Sequence, residues 1–271
     1  MQMKKVIINA DDFGYSNSTN EAIMLGHKEG IITSASLIVN MDGFDHAINQ
    51  IFPQTKTLDL GFHFNITEGM CLSNSPLLCD KNGHFNNGFI SALIKSTDKK
   101  FINAVEVEFR LQIEKILKSI NISHIDSHRH IHAIPPIFNL IVKLAKEYNI
   151  KFIRTQKEVP YIVPSKTLDM KFYANILKSI VLNSLSNINK YPYTNDKFIG
   201  ILYTGYMDEN SILQGLKTIK TQTEITEIII HPTINPSNVN NYKEFMAIKS
   251  PKLKQEILDL GFKLTNYSEF N

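Results

Sequence analysis

The chain has 271 residues, 43% of them hydrophobic, a formal net charge of +3 and two cysteines, Cys71 and Cys79. That apolar content excludes a disordered chain, the small charge argues against a nucleic-acid partner, and two cysteines build neither a disulfide framework nor a cysteine-based zinc site. The apolar run in MQMKKVIINADD is too short for a secretory leader and no stretch approaches the roughly 18 apolar residues of a membrane span, so a soluble, cytoplasmic protein without membrane contact is expected.

Val6–Ala10 reads as a buried strand that stops at two adjacent carboxylates, Asp11 and Asp12. A helix is predicted over Asn17–Glu29, capped by Ser16 or Asn17 and stopped by Gly30. A strand over Ile31–Asn40, a helix over Phe44–Ile51 and a strand over Leu58–Phe64, holding His63, follow. From Asn65 to Asn87 the periodicity lapses, and a loop of that length in a compact domain is usually a lid or a binding loop.

Ile102–Leu117 has a strong helical pattern: Ile102, Val105, Phe109, Ile113, Ile116 and Leu117 share a face, and Glu106 with Arg110 and Glu114 with Lys118 form four-apart pairs. A short strand at Ile122–Ile125, a helix from about Pro136 to Tyr148 and a strand at Lys151–Arg154 come next. Residues 155–196 are ambiguous apart from a helix around Leu168–Leu185. Then come a strand at Phe198–Leu202, a helix at Glu209–Thr221, a strand at Thr226–Ile230, one long helix over Asn241–Leu260 and a last strand at Lys263–Asn266. Short, continuously apolar strands alternating with helices predict a parallel sheet buried on both faces. With no linker and no repeat, residues 1–271 read as one α/β domain of about seven β/α units.

Parallel α/β folds place chemistry at the carboxyl ends of their strands. Here four strand ends carry ligand-type residues: Asp11 and Asp12, His63, Asp126 with His128, and His231. Two side-by-side carboxylates suit a division of labour, one on a divalent cation and one free as a base; the alternative is a helix cap, which Ser16 and Asn17 already supply. His63 taken alone is better explained as a core residue or a strand-end hydrogen bonder, and the metal reading prevails only when it is taken together with Asp12 and the HIDSHRHIH motif. HIDSHRHIH places His124, Asp126, His128, His130 and His132 at alternate positions, which in an extended strand share one side. Five such residues span about 13 Å at strand rise, so one ion cannot take them all, and some must contact substrate or, like Asp126, orient an imidazole. His231 precedes Pro232 after an apolar run, and histidine suits proton transfer to a leaving amine. Arg154 pairs with a catalytic carboxylate, binds substrate or makes a surface ion pair. His27, His46 and His84 fit no cluster.

NADDFG, GFHFNITEG, HIDSHRHIH and EIIIHP occur in this order, and over Lys4 to about Tyr267 the chain resembles the YdjC-like carbohydrate deacetylases, which include chitooligosaccharide deacetylase. The resemblance implies a distorted (β/α) barrel with one divalent metal at its mouth. Asp12, His63 and His128 match the metal ligands, Asp11 the base, and His231 the acid. Asn65, Asp126, His130 and Arg154 are expected to touch substrate or to orient the ligands. The implied ion is magnesium, although a carboxylate with two imidazoles equally suits zinc, manganese, cobalt or nickel. The implied reaction is hydrolysis of an N-acetyl group on an amino sugar, with a small oligosaccharide as partner and homodimerisation left open. Asn65, Asp80 and Phe85 of the long loop are expected to form a sugar-binding wall. Two departures, the absence of a proline two residues after Arg154 and Thr233 in place of the usual glycine after HP, lie near the cleft and bear on substrate preference. The rival readings are a glycosidase, a non-catalytic sugar- or metal-binding barrel and a metal-dependent phosphoesterase. The glycosidase has no use for His63 and His128, and the binding barrel needs neither base nor acid.

Overall fold

A computed structural model describes residues 4–118, 120–166, 169–205, 207–221 and 225–270. Its elements are β1 (Lys4–Phe13), α1 (Asn17–Lys28), β2 (Ser34–Leu37), α2 (Phe44–His46), β3 (Asp59–Phe64), α3 (Phe89–Lys95), α4 (Lys99–Leu117) and β4 (His124–Ser127). They continue with α5 (Pro135–Glu147), β5 (Phe152–Ile153), α6 (Met170–Ile188), β6 (Lys197–Ile199), α7 (Glu209–Lys217), β7 (Ile225–Ile230), α8 (Val239–Ile248), α9 (Pro251–Asp259) and β8 (Phe262–Thr265).

Seven strands pair in the order β5-β4-β3-β2-β1-β7-β6, all parallel, and the sheet curls so that a single parallel bridge, Glu158 to Phe198, joins its two edges. This is the expected distorted (β/α) barrel. Its irregularity lies at β1, which pairs with β7 along one edge and with β8 (Lys4–Ile7) and then β2 (from Asn9) along the other. The β1, β3 and β7 interiors are almost fully buried, as both-face burial of a parallel sheet requires.

Local chemistry sets the helix boundaries. Ser16 caps α1 by accepting from the Thr19 amide, and His27 and Lys28 lie in its last turn, where cations suit the helix dipole. The α4 face of Phe101, Val105, Phe109, Ile113 and Ile116 is buried, each side chain contributing about 1.5–3 kcal/mol. Glu106 pairs with Arg110 as expected, whereas Glu114 accepts from the Tyr148 hydroxyl.

Several expectations change. The single helix over Asn241–Leu260 is two helices, because Pro251 has no amide to donate and Ser250 caps the second by accepting from Leu253. The helix over Phe44–Ile51 begins as α2, loosens into a π turn at Ala47–Ile51 and tightens at Phe52–Gln54. The start of the helix placed near Leu168 lies outside the described residues, and α6 runs to Ile188. The unforeseen α3 exposes Ile90 and Ile94, so its pattern did not read as amphipathic. The 65–87 segment is ordered by antiparallel bridges Met70–His84 and Cys79–Phe85. It is pinned to α4 by Glu108, which accepts from the Leu72 and Ser73 amides and the Cys71 thiol.

Candidate metal centre and active site

Neighbouring residues of a strand point to opposite faces, yet Asp11 and Asp12 both converge on His63. The backbone resolves this at Asp12, which adopts φ 67° where the β1–β2 register shifts. Gly14 completes the turn at φ 96°, and a Cβ there would lie 2.4 Å from the Ile38 carbonyl oxygen. Asp11 keeps the inward direction of Asn9, whose amide donates to it at 2.8 Å.

Asp12 meets His63 of β3 and His128, the residue that follows β4. The Asp12 Oδ1 lies 2.9 Å from His128 Nδ1 and 3.4 Å from His63 Nε2, and one donor atom from each of the three residues falls within 4.8 Å of the others. This set is partly exposed and opens on a cleft, and its oxygen and imidazole donors fit a divalent cation. A second convergent set, Asp11, His63 and Asp126, is fully buried, and both of its carboxylates are already paired with the Arg154 guanidinium. The first set is therefore the better cation site. Burial opposes the charged form of Asp12, but His128 and His63 outweigh it and hold the carboxyl well below its usual range.

His63 is aimed from behind. Its Nδ1 contacts Asp126 at 2.6 Å, which turns Nε2 toward Asp12. Burial lowers the imidazole's affinity for a proton, but Asp126 and Asp11 raise it further, to about 10. Asp126 is itself held by the Ser36 hydroxyl at 2.6 Å and by Arg154 at 2.6 Å. Burial disfavours its charge, yet Arg154 and His63 carry its pKa below the ordinary carboxylate range.

Arg154 is completely buried among three carboxylates. It binds Asp11 bidentately at 2.8 and 2.7 Å, and its Nε donates to Glu227 at 2.9 Å. A surface ion pair is thereby excluded, and so is direct access to a ligand in the cleft. Three anions around one cation leave an excess of negative charge, and burial raises Glu227 to about 7 despite Arg154. His231 follows β7, donates its backbone amide to Glu244 at 2.7 Å, and places Nε2 3.9 Å from Asp11 Oδ2.

HIDSHRHIH is not one extended strand. β4 ends at Ser127, and His128–Ala133 forms a 3-10 segment with Arg129 and His130 at φ 54° and 58°. His128 alone of the four histidines reaches the donor set. His124 stacks on Tyr267 at 4.0 Å, with burial holding it neutral down to about 4. His132 is spanned by Ser127 and by Gln156, whose amide donates to Nε2 at 2.7 Å, and burial lowers its pKa to about 3. His130 is buried edge-on against Phe198, at 6.1 Å between ring centres.

The expected sugar-binding wall in the long loop also dissolves. Asn65 is fully buried and knits the loop through Asn40 and Thr67. Asp80 caps its own turn through the Asn82 and His84 amides, and Phe85 is buried. The loop's contribution to the centre is Glu68, which contacts His128 Nε2 at 3.2 Å, Arg129 at 3.1 Å and the Tyr15 hydroxyl at 2.7 Å. His128, Tyr15 and the other partners hold this carboxylate near 2.

Glu68 and Glu227 were both legible in principle. Glu227 is the one charge inside the apolar run ITEIII, four residues before His231 and so on the same strand face. Glu68 lies in the quoted GFHFNITEG. The cleft beyond the donors has a volume of roughly 490 Å³, and its walls include Tyr15, Glu68, Arg129, His231, Asn235 and Asn241. No described helix is long and apolar enough to cross a membrane.

The chain is 30% identical over 275 residues to a carbohydrate deacetylase of Brevibacillus brevis, covering 98% of this chain and 99% of that one. It is 27% identical to a chitooligosaccharide deacetylase of Proteus mirabilis, covering 97% and 98%. A crystal structure from Enterococcus faecalis, provisionally named a cellobiose-phosphate cleavage protein, superposes with a TM-score of 0.78 at 24% identity, over 99% of both chains, and shares the fold. A model of the family described as YdjC-like protein matches residues 5–259, and the chain belongs to that family.

Proposed function

We propose that this chain is a divalent-metal-dependent carbohydrate N-deacetylase that releases acetate from N-acetylated amino sugars, with N-acetylglucosamine oligomers as substrates. The observation that carries this reading is the convergence of Asp12, His63 and His128 at an open cleft, with Asp11 and His231 beside them. The names of its relatives, carbohydrate deacetylase and chitooligosaccharide deacetylase, support the same class.

Asp12, His63 and His128 would hold the cation. Bound there, it supplies Lewis acidity to the acetamide carbonyl and stabilises the charge that develops on its oxygen. Asp11, aimed by the Arg154 fork, takes the proton from the attacking water. His231 then protonates the departing amine nitrogen, the step an amide leaving group needs most. Asp126 keeps His63 in the tautomer that presents Nε2. One unit spanning residues 1–271 performs all of these tasks.

The test is acetate release from N-acetylglucosamine oligomers by metal-stripped and metal-restored protein, with Asp11→Asn alongside. Release that depends on added metal and falls about 100-fold or more in the variant is expected. Activity that survives chelation overturns the reading, and shortening of the sugar chain without acetate release points to a glycosidase.

A further inference from the structure

Both imidazoles of the donor set lie between Asp12 and a second carboxylate, but in opposite senses. His63 turns Nε2 toward Asp12 and gives Nδ1 to Asp126 at 2.6 Å. His128 is reversed: Nδ1 lies 2.9 Å from Asp12 Oδ1, and Nε2 lies 3.2 Å from Glu68 Oε2. We propose that Glu68 is the positioning residue of His128, its carboxylate accepting the Nε2 hydrogen and so leaving the Nδ1 lone pair for the cation. This assignment rests on the metal-dependent deacetylase reading and adds a residue to its metal centre.

A neutral imidazole carries one ring hydrogen, and the acceptor it meets decides which nitrogen holds it. An ion in the donor set needs the lone pair that faces Asp12, so the hydrogen belongs on Nε2, where Glu68 stands. Glu68 is not itself a member of the set: among the described residues, the groups close enough to share an ion do not include it. It stands behind the ligand, in the place that Asp126 takes for His63.

The carboxylate is held from several sides. Oε1 accepts from the Tyr15 hydroxyl at 2.7 Å, and Oε2 accepts from Arg129 at 3.1 Å. The Glu68 amide donates to the Asn65 side-chain oxygen at 3.2 Å, and its carbonyl accepts from the Asn65 and Asn40 side chains at 2.6 and 3.0 Å. Arg129 directly follows His128 and, like His130, takes a left-handed conformation, with φ 54° and 58°, and both His128 and Arg129 meet the same carboxylate. Glu68 is partly exposed, and water can accept the same hydrogen there, but without the fixed direction these contacts impose. His63 and Glu68 belong to one motif, GFHFNITEG, which thus supplies one ligand and aims another. Asn65, between them, acts by fixing Glu68.

The experiment titrates metal-stripped wild type, Glu68→Gln and Glu68→Ala with zinc in a calorimeter, and reads the ring nitrogens of the zinc-loaded proteins by NMR. Glu68→Ala should bind zinc about 10–100-fold more weakly than the wild type. Glu68→Gln, whose side-chain oxygen still accepts from Nε2, should recover part of that loss. In the loaded wild type the two histidines should give opposite signatures: zinc on Nε2 and hydrogen on Nδ1 for His63, zinc on Nδ1 and hydrogen on Nε2 for His128. Equal affinity of wild type and Glu68→Ala overturns the proposal, and so does zinc on Nε2 of His128. A lower melting temperature of stripped Glu68→Ala with unchanged zinc affinity makes Glu68 a structural residue only and overturns it as well. Weaker zinc binding by Glu68→Ala supports the proposal even if the wild type releases no acetate, in which case only the deacetylase reading falls. A wild type that binds no zinc overturns both.

Discussion

Arg154 and Asp11, 143 residues apart in sequence, face each other through two parallel hydrogen bonds of 2.8 and 2.7 Å in the closed interior of the barrel. Fork-to-carboxylate pairing fixes the orientation as well as the charge of the acid. Arg154→Met leaves Asp11, Asp126 and Glu227 buried without a cation, and a loss of about 3–5 kcal/mol is expected. Arg154→Lys keeps the charge without the fork, so it should retain more stability than Arg154→Met while losing most acetate release. Urea unfolding and an acetate assay on both variants check this, and equal stability of the two would contradict it.

Metal should stabilise the wild-type fold by mass action. At a free concentration of 100 Kd the gain is about 2.7 kcal/mol, which appears as a rise of several degrees in melting temperature. His63→Ala removes one of the three donors and should abolish that rise. A scan with manganese or zinc, with and without chelator, measures it.

Asp126 lies outside the Asp12–His63–His128 set, yet its carboxylate contacts His63 Nδ1 at 2.6 Å. Asp126→Asn weakens that acceptor and should cost about 10–100-fold in metal affinity. Calorimetric titration of stripped protein gives the number directly. An unchanged affinity would mean that packing alone orients the imidazole.

Burial pushes Glu158 up to about 7 despite the backbone amides of Gly200, Leu202 and Ile201 that donate to it. This folded value lies above the ordinary 4.5 for glutamate, so between about 4.5 and 7 the folded protein keeps a proton that the unfolded chain has released. The Glu158 contribution is therefore greatest below about 4.5 and declines as pH rises through that window. Urea midpoints at several pH values should show a smaller decline in Glu158→Gln than in the wild type. An identical decline would assign the effect to other groups, Glu227 first among them.

Glu108 anchors the 65–87 segment through the Leu72 and Ser73 amides at 3.1 and 2.8 Å. Glu108→Ala should leave those amides without acceptors and speed their hydrogen exchange at least tenfold, with little change in β1 or β7. Mass-resolved exchange on the loop peptides tests the anchor.

The sequence by itself determined the alternation of apolar strands and helices, and with it the parallel sheet, because burial on both faces demands a continuous apolar run. It also determined which strand ends carry donors: Asp12, His63 and His128 were legible as strand-end residues, and they do converge. Only the tertiary structure decided what those ends face. The period of two that seemed to align His124 through His132 broke at Ser127, because two residues took positive φ, a choice invisible to hydrophobic pattern. Asn65 went to the loop interior, and Arg154 to a cluster with Glu227, because a polar side chain in a closed barrel must satisfy every hydrogen bond from neighbours brought in by other strands. Pattern along the chain records which residues leave water. Which partners they then find depends on contacts from 25 to 143 residues apart, and those exist only once the sheet has curled.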